Sequence, residues 1–534
     1  MRRIAALVVL AGCGGDGDGD GGPDAPPLPL PSPSCTPAPA GGSATVAAPT
    51  LAYTLADRWH EGWLASPAIA DLDGDGTPEI IAPRDELLLV WHVAAGGSGT
   101  VAWRAATGGR IWSSPVVADL LPGRPGLEVA IASRGQLFAF DAAGTALPNF
   151  PVTWRDELRT LGAGDIDGDG ALELVVVTND PLDGTNRRDI VMAYEANGSV
   201  VTGFPPNTGG AAGCDDACYV TGGYDQNLAI GDVDGDDRVD IFAPHDNAYA
   251  SLHAGTGRAF DAAPIFDGRT KFSGIRMMVD YRLAQQGYAD DEAVDEQGHF
   301  TNSAPAIADL DGDGTAELIL LGSVQNTAQN DRERGVALWV LHHDGTRPPG
   351  WEAPPRFGDF LSGLWDYGDN VVGITNQPTV VELDPARAGK EIVFAGFDGR
   401  IHAVDARAQT VWNTAYTTSA TVATGGVVVA DLSGDGVPEI VFATYSTGGG
   451  GHLVVLDAAG NELHRVPLPD RGAMPVPTIG DADGDGDLDI VVSLKDGEDR
   501  VRQVQVYEVP GSTANCLLWP TGRGNYRRDG YLPP

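Results

Sequence analysis

Positive charge is scarce in this chain of 534 residues: 34 lysines and arginines stand against 74 acidic residues, a formal net charge of −40. DNA or RNA would meet repulsion rather than steering over such a surface, which excludes nucleic-acid binding as a function. Long apolar runs are missing as well. Beyond the N-terminus, no stretch approaches the roughly 18 continuous apolar residues of a membrane-spanning helix, so none is expected. There is no HExxH pair, no phosphate-binding glycine loop and no recognisable Ser/His/Asp arrangement. What the chain has in excess is turn residues. Its 72 glycines and 38 prolines favour many short strands over long helices, and an all-β repeat architecture is the starting expectation.

The N-terminus "MRRIAALVVLAGC" places Arg2 and Arg3 before an apolar stretch from Ile4 to Leu10, with small residues ahead of Cys13. This is the pattern of an export signal, too short to span a bilayer. Leu10-Ala11-Gly12-Cys13 resembles the bacterial lipobox, which implies removal of residues 1–12, lipidation of Cys13 and anchoring at the outer membrane or cell surface. Residues 13–50 are Gly/Asp-rich and then Pro-rich without periodic apolar positions, and read as a solvated tether.

Self-similarity dominates the rest. "ADLDGDGTPEII" at Ala70 returns as "GDIDGDGALELV" at Gly164, "GDVDGDDRVDIF" at Gly231, "ADLDGDGTAELI" at Ala308, "ADLSGDGVPEIV" at Ala430 and "GDADGDGDLDIV" at Gly480. Two further segments, "ADLLPGRPGLEVA" at Ala118 and "VELDPARAGKEIV" at Val381, keep the frame and its first and last acids but gain a residue and share acid-Leu-x-Pro-x-Arg-x-Gly-x-Glu. From first acid to first acid the steps are 48, 46, 67, 77, 73, 49 and 50 residues. A unit of about 48 residues built of several short strands fits a propeller blade. The expected fold is a single all-β propeller over 51–534, of about eight blades or, alternatively, seven.

Each acidic loop offers oxygens at positions 1, 3, 5 and 9 and the carbonyl of position 7, with a turn glycine usually at position 6. The sets are Asp71, Asp73, Asp75, Thr77, Glu79; Asp165, Asp167, Asp169, Ala171, Glu173; Asp232, Asp234, Asp236, Arg238, Asp240; Asp309, Asp311, Asp313, Thr315, Glu317; Asp431, Ser433, Asp435, Val437, Glu439; and Asp481, Asp483, Asp485, Asp487, Asp489. Such oxygen cages suit a hard cation, Ca2+ ahead of Mg2+, and about six structural Ca2+ sites are expected. An EF-hand is ruled out because its position 12 needs Glu, whereas here that position is Ala82, Val176, Ala243, Leu320, Phe442 or Val492.

These loops resemble the FG-GAP or VCBS repeats of integrin-α-type propellers and their bacterial relatives. The resemblance implies Ca2+ ligands at loop positions 1, 3, 5, 7 and 9. Clear Phe-Gly and Gly-Ala-Pro signatures of integrins are lacking, and integrin-type adhesion does not follow. In the two altered loops, Arg124 and Arg387 precede Glu128 and Glu391 by four residues, and a guanidinium could stand where the other loops hold a metal. Cys35, Cys214, Cys218 and Cys516 form an even set suited to an oxidising compartment. Cys214 with Cys218 and Cys35 with Cys516 are the favoured pairs, among three possible pairings. The final "CLLWPTGRGNYRRDGYLPP" resembles the closing tail of bacterial propellers, and Trp519 is expected to pack against the ring.

Surplus length points to function. Insertions near 197–226, 256–302 and 322–372 carry Arg276, Tyr281, Arg282, Tyr288, His299, Trp365 and Tyr367, the candidate surface for an extracellular protein or glycan partner. Binding or adhesion by a monomeric scaffold is the expected role. The alternative is a Ca2+-dependent carbohydrate-active enzyme of the polysaccharide lyase kind, while a quinoprotein reading finds only Trp412 to support it.

Overall fold

The computed structural model describes residues 28, 31–37, 45–56, 60–96, 98–184, 189–206, 222–245, 248–267, 270–286, 296–301, 303–325, 335–358, 366–367, 370–371, 377–496, 503–513 and 516–533. Eight antiparallel sheets follow one another around a ring, which settles the blade number at eight.

Blades 1 to 8 begin with the innermost strands Ala68–Ala70, Val116–Ala118, Asp156–Gly164, Ala229–Gly231, Ala306–Ala308, Thr379–Val381, Val428–Asp431 and Thr478–Gly480. The three-residue members of this set are buried throughout, since they face the axis on one side and the next strand on the other. Outermost strands such as Thr100–Ala106 and Glu462–Pro467 alternate between exposed and half-buried, as a sheet edge wetted on one side should. The apolar core lies between neighbouring blades. Between blades 4 and 5, for example, Phe242, Phe272, Phe300 and Trp339 pack together.

Blade 8 is completed from the other end of the chain: Thr50–Ala56 supplies its outermost strand by pairing with Gln503–Val509. Indole groups staple blade to blade. Trp103 and Trp412 leave the outer strands of blades 1 and 6 and donate to the carbonyls of Ala142 and Ala458 in the next blade, each at 2.9 Å. Gly144 and Gly460 lie beneath these rings, where any Cβ would strike the indole. Trp412 thus packs between blades in the same way as Trp103.

The axis is filled by the C-terminal tail. Cys516–Trp519 pairs with the innermost strand of blade 7, and Trp519 is buried as expected. The chain then reverses, and carbonyls of Pro520, Tyr526, Arg527, Asp529 and Gly530 accept N–H groups from Ile479, Val117, Ala163, Ile230 and Ile307 on five other blades. Finally Tyr531–Leu532 pairs in parallel with the innermost strand of blade 5. Two fully buried guanidiniums sit in this plug. Arg523 donates to the carbonyls of Leu161 and Leu228, and Arg528 to those of Pro115, Pro67 and Gly522. Burial pulls both down to about 9 from the usual arginine range.

The tether expected over 13–50 is fastened to the ring in part. Cys35 and Cys516 form a disulfide, the N–H of Ser32 donates to the carbonyl of Leu517 at 2.6 Å, and Pro37 lies against Gly436. Cys13, Cys214 and Cys218 lie outside the described residues.

Candidate metal loops and the opposite face

All six acidic loops adopt one backbone solution, dictated by where aspartates can cap N–H groups. The position-1 carboxylate accepts from the N–H of position 4 (Asp71 from Gly74 at 2.8 Å) and from that of position 6 (Gly76 at 2.9 Å). Position 5 accepts from position 7, as Asp75 does from Thr77 at 2.7 Å. The position-9 acid closes the loop onto position 2: Glu79, Glu173, Asp240, Glu317, Glu439 and Asp489 accept from Leu72, Ile166, Val233, Leu310, Leu432 and Ala482. In blade 4 Asp237 takes the left-handed conformation, at φ 64°, that glycine holds at position 6 elsewhere.

Convergence follows from this geometry. Five of the loops bring three donor groups within 4.8 Å of one another: Asp165, Asp167 and Glu173; Asp232, Asp234 and Asp240; Asp309, Asp311 and Glu317; Asp481, Asp483 and Asp489; and, in blade 1, Asp73, Asp75 and His92. The blade 7 loop has Ser433 at position 3, with Asp431 and Ser433 buried.

Burial pushes the position-9 acids far up, against the pull of their backbone donors. Glu79, Glu173, Glu317 and Asp489 reach about 7, and Asp240 and Glu439 about 8, with the neighbouring aspartates adding to the rise. Glu173 is fully buried, yet its Oε1 has no hydrogen-bond partner. A carboxylate left in that state beside two aspartates needs a cation, so the residues present fit a hard divalent ion.

Blades 2 and 6 keep the first acid, Asp119 or Glu382, and the closing acid, but lose the Asp-Gly-Asp-Gly run between them. Glu128 accepts from Leu120 and Leu121, and Glu391 from Leu383. Arg387 Nε is 3.9 Å from Glu391 Oε1 and 3.4 Å from Asp384, and its side chain is half exposed. Arg124 is exposed, and its charge opposes the burial-driven rise of Glu128. Each altered loop also docks on the loop before it, through Leu127 N–H to Leu72 O and Lys390 N–H to Leu310 O.

In an up-and-down blade, first-to-second and third-to-fourth connections share one face, and the remaining connections share the other. The acidic loops occupy the first face. Residues 207–221, 326–334 and 359–376 fall in connections of the second kind, so the described strands flanking them end on the opposite face. Of the candidate partner residues, Arg276 and His299 are buried. Tyr281 takes an N–H from Arg347 and lies under its guanidinium at 4.6 Å. Arg282 is exposed and paired with Asp280. Tyr367 falls in the two-residue strand Asp366–Tyr367, and Tyr288 and Trp365 lie outside the described residues.

The same face carries a feature that sequence reading missed. Lys495, Trp63, Arg110, Trp112, Arg159 and Tyr224 stack in alternation: Lys495 Nζ lies 3.1 Å and Arg110 3.8 Å from the Trp63 ring, and Arg159 lies 4.2 Å from Trp112 and 5.5 Å from Tyr224. Glu61, Asp85 and Asp225 pair with Lys495, Arg110 and Arg159 in turn. The six stacked residues come from four connections and the innermost strand of blade 3, so only the ring brings them together.

Residues 431–492, which hold the blade 7 and blade 8 loops, match the model of the FG-GAP-like repeat. No curated protein matches the chain. Among solved structures it is similar to the V. cholerae biofilm matrix protein Bap1, at 14% identity over 91% of this chain and 96% of that one, TM-score 0.41. It is also similar to a europium-containing methanol dehydrogenase, at 10% identity over 83% and 84%, TM-score 0.47. The C-terminal WD40 domain of Sif2 is similar at 8% identity over 86% and 99%, TM-score 0.42. Among the described residues, no helix is long and apolar enough to cross a membrane.

Proposed function

We propose that this chain is an exported, lipid-anchored binding scaffold, stabilised by Ca2+ in its acidic loops, that recognises an extracellular protein or glycan through its inserted segments. The observation that carries this reading is the placement of three long connections, those holding residues 207–221, 326–334 and 359–376, on the face opposite the acidic loops. A plugged axis supports it, because the tail occupies the channel in which many propellers hold a small ligand. The tether adds orientation. Cys13 precedes Cys35 by 22 residues, and Cys35 is fixed beside the blade 7 loop, so an anchored molecule presents the inserted face outward.

A glycan array run together with a uronate-release assay tests the reading. Saturable binding without product supports it, and an unsaturated product absorbing near 235 nm would replace it with a lyase.

A further inference from the structure

We propose that the plug in the axis holds one small monovalent anion, of the halide class, against the guanidinium of Arg523. Such a site lies apart from the acidic loops and is independent of any partner on the inserted face.

The two buried guanidiniums of the plug differ in how fully they are satisfied. Arg528 places all five of its N–H groups: Nε on Pro115 O at 2.9 Å, Nη1 on Thr521 Oγ1 and Gly522 O at 2.6 and 2.8 Å, and Nη2 on Pro67 O and Ser66 O at 2.8 and 3.4 Å. Arg523 places two. Its Nη1 donates to Leu161 O at 2.6 Å and its Nη2 to Leu228 O at 2.7 Å, while Nε has no acceptor among the described residues. The residue is 1% exposed, so bulk water does not reach the N–H groups that remain. Trp519 Nε1 is a second buried donor without an acceptor, and Gly524, the neighbour of Arg523, lies against the Trp519 ring. Buried donors in this state call for an acceptor that the protein itself does not supply.

Charge balance makes that acceptor an anion. From Thr521 to Leu532 the buried charged residues are Arg523, Arg528 and Asp529, while Arg527 is exposed. Among the described residues no carboxylate hydrogen-bonds to either buried guanidinium, and Asp529 Oδ1 is engaged by Asn525 Nδ2 at 2.8 Å and by the N–H of Tyr531 at 2.9 Å. Two buried cations and one buried carboxylate leave one positive charge, which is costly in a low-dielectric interior unless it is paired. Burial pulls Arg523 down to about 9; the nearby Arg528 adds to that, and Asp529 opposes it. Water could accept the open N–H groups but would leave the charge in place. A halide does both, and its single charge matches the excess.

The test exchanges chloride for bromide in crystals of the full mature chain and locates bromide by its anomalous scattering. One peak is expected within hydrogen-bond reach of Arg523 Nε. No peak there overturns the proposal and assigns water to the open N–H groups. In solution, replacing chloride with gluconate at constant ionic strength should lower the melting temperature, because gluconate is too large for the plug and an anion bound only by the native state stabilises it. That shift should vanish in Arg523→Gln and persist in the exposed Arg527→Gln. Equal melting in the two salts, or a chloride effect that survives in Arg523→Gln, overturns the proposal. The bromide measurement uses the unmutated chain, so it remains decisive where Arg523→Gln fails to fold.

Discussion

The phenol of Tyr53 donates to Asp483 Oδ2 at 2.5 Å, tying the strand that closes blade 8 to the acidic loop of the same blade. Closure of the ring and cation binding therefore share a residue. Tyr53→Phe should cost about 1.5–3 kcal/mol, the range for a hydrogen bond to a charged group. Thermal melts with and without Ca2+ check it: the stabilisation that Ca2+ confers should shrink in the variant.

Chelation should lower the melting temperature of the unmutated chain, since an ion bound only by the native state stabilises by mass action. Differential scanning calorimetry in excess EDTA measures it. An unchanged transition would contradict the structural role of calcium.

Stability of the chelated protein should fall as pH rises. The position-9 glutamates Glu173, Glu317 and Glu439 ionise at about 7 to 8 in the folded chain and near 4.5 when unfolded. A raised folded-state pKa means the native state holds the proton more tightly, so its contribution is full below about 4.5 and is lost as pH climbs through 7 to 8. Denaturant melts in EDTA at pH 5 and pH 8 should rank pH 5 higher. Added Ca2+ should reverse that ranking, because the ion needs the ionised acids.

Reduction of the Cys35–Cys516 bond should loosen the tether and the tail together. The two cysteines are 481 residues apart, but strand pairing at Thr50–Ala56 already brings the termini near each other, so the loss should be about 2–4 kcal/mol at most. Comparing Cys35→Ser with and without reductant checks this, and the reductant should have no further effect on the variant.

Arg528→Met should be far more damaging. It strands the carbonyls of Pro115, Pro67 and Gly522 around a fully buried position, a loss of about 3 kcal/mol or more. Soluble yield and melting temperature are the readouts, and Arg528→Lys should not restore them, because an ammonium cannot reach carbonyls of separate blades.

The propeller and its acidic loops were legible because their chemistry is local. Asp71 and Gly76 are neighbours in sequence, and the spacing itself encodes the turn. The unit step of about 48 residues then gave the blades, and counting first acids pointed to eight. The cation–π stack was illegible for the opposite reason: Trp63 and Lys495 meet only because the ring closes. The tail offered Trp519 as a packing residue, but its backbone hydrogen bonds go to six different blades and leave no periodic trace. His92 was passed over because its partner Glu79 lies across a hairpin, not along the loop.

The plug also sets a clock for biosynthesis. Blade 8 takes its outer strand from residues 50–56, yet the axis is sealed only by residues 516–532. A nascent chain can therefore close its ring once residues 503–509 are made, but it cannot fill the axis until residues 516–532 follow. A chain cut before residue 516 is a closed ring with bare inner strands along an unfilled axis.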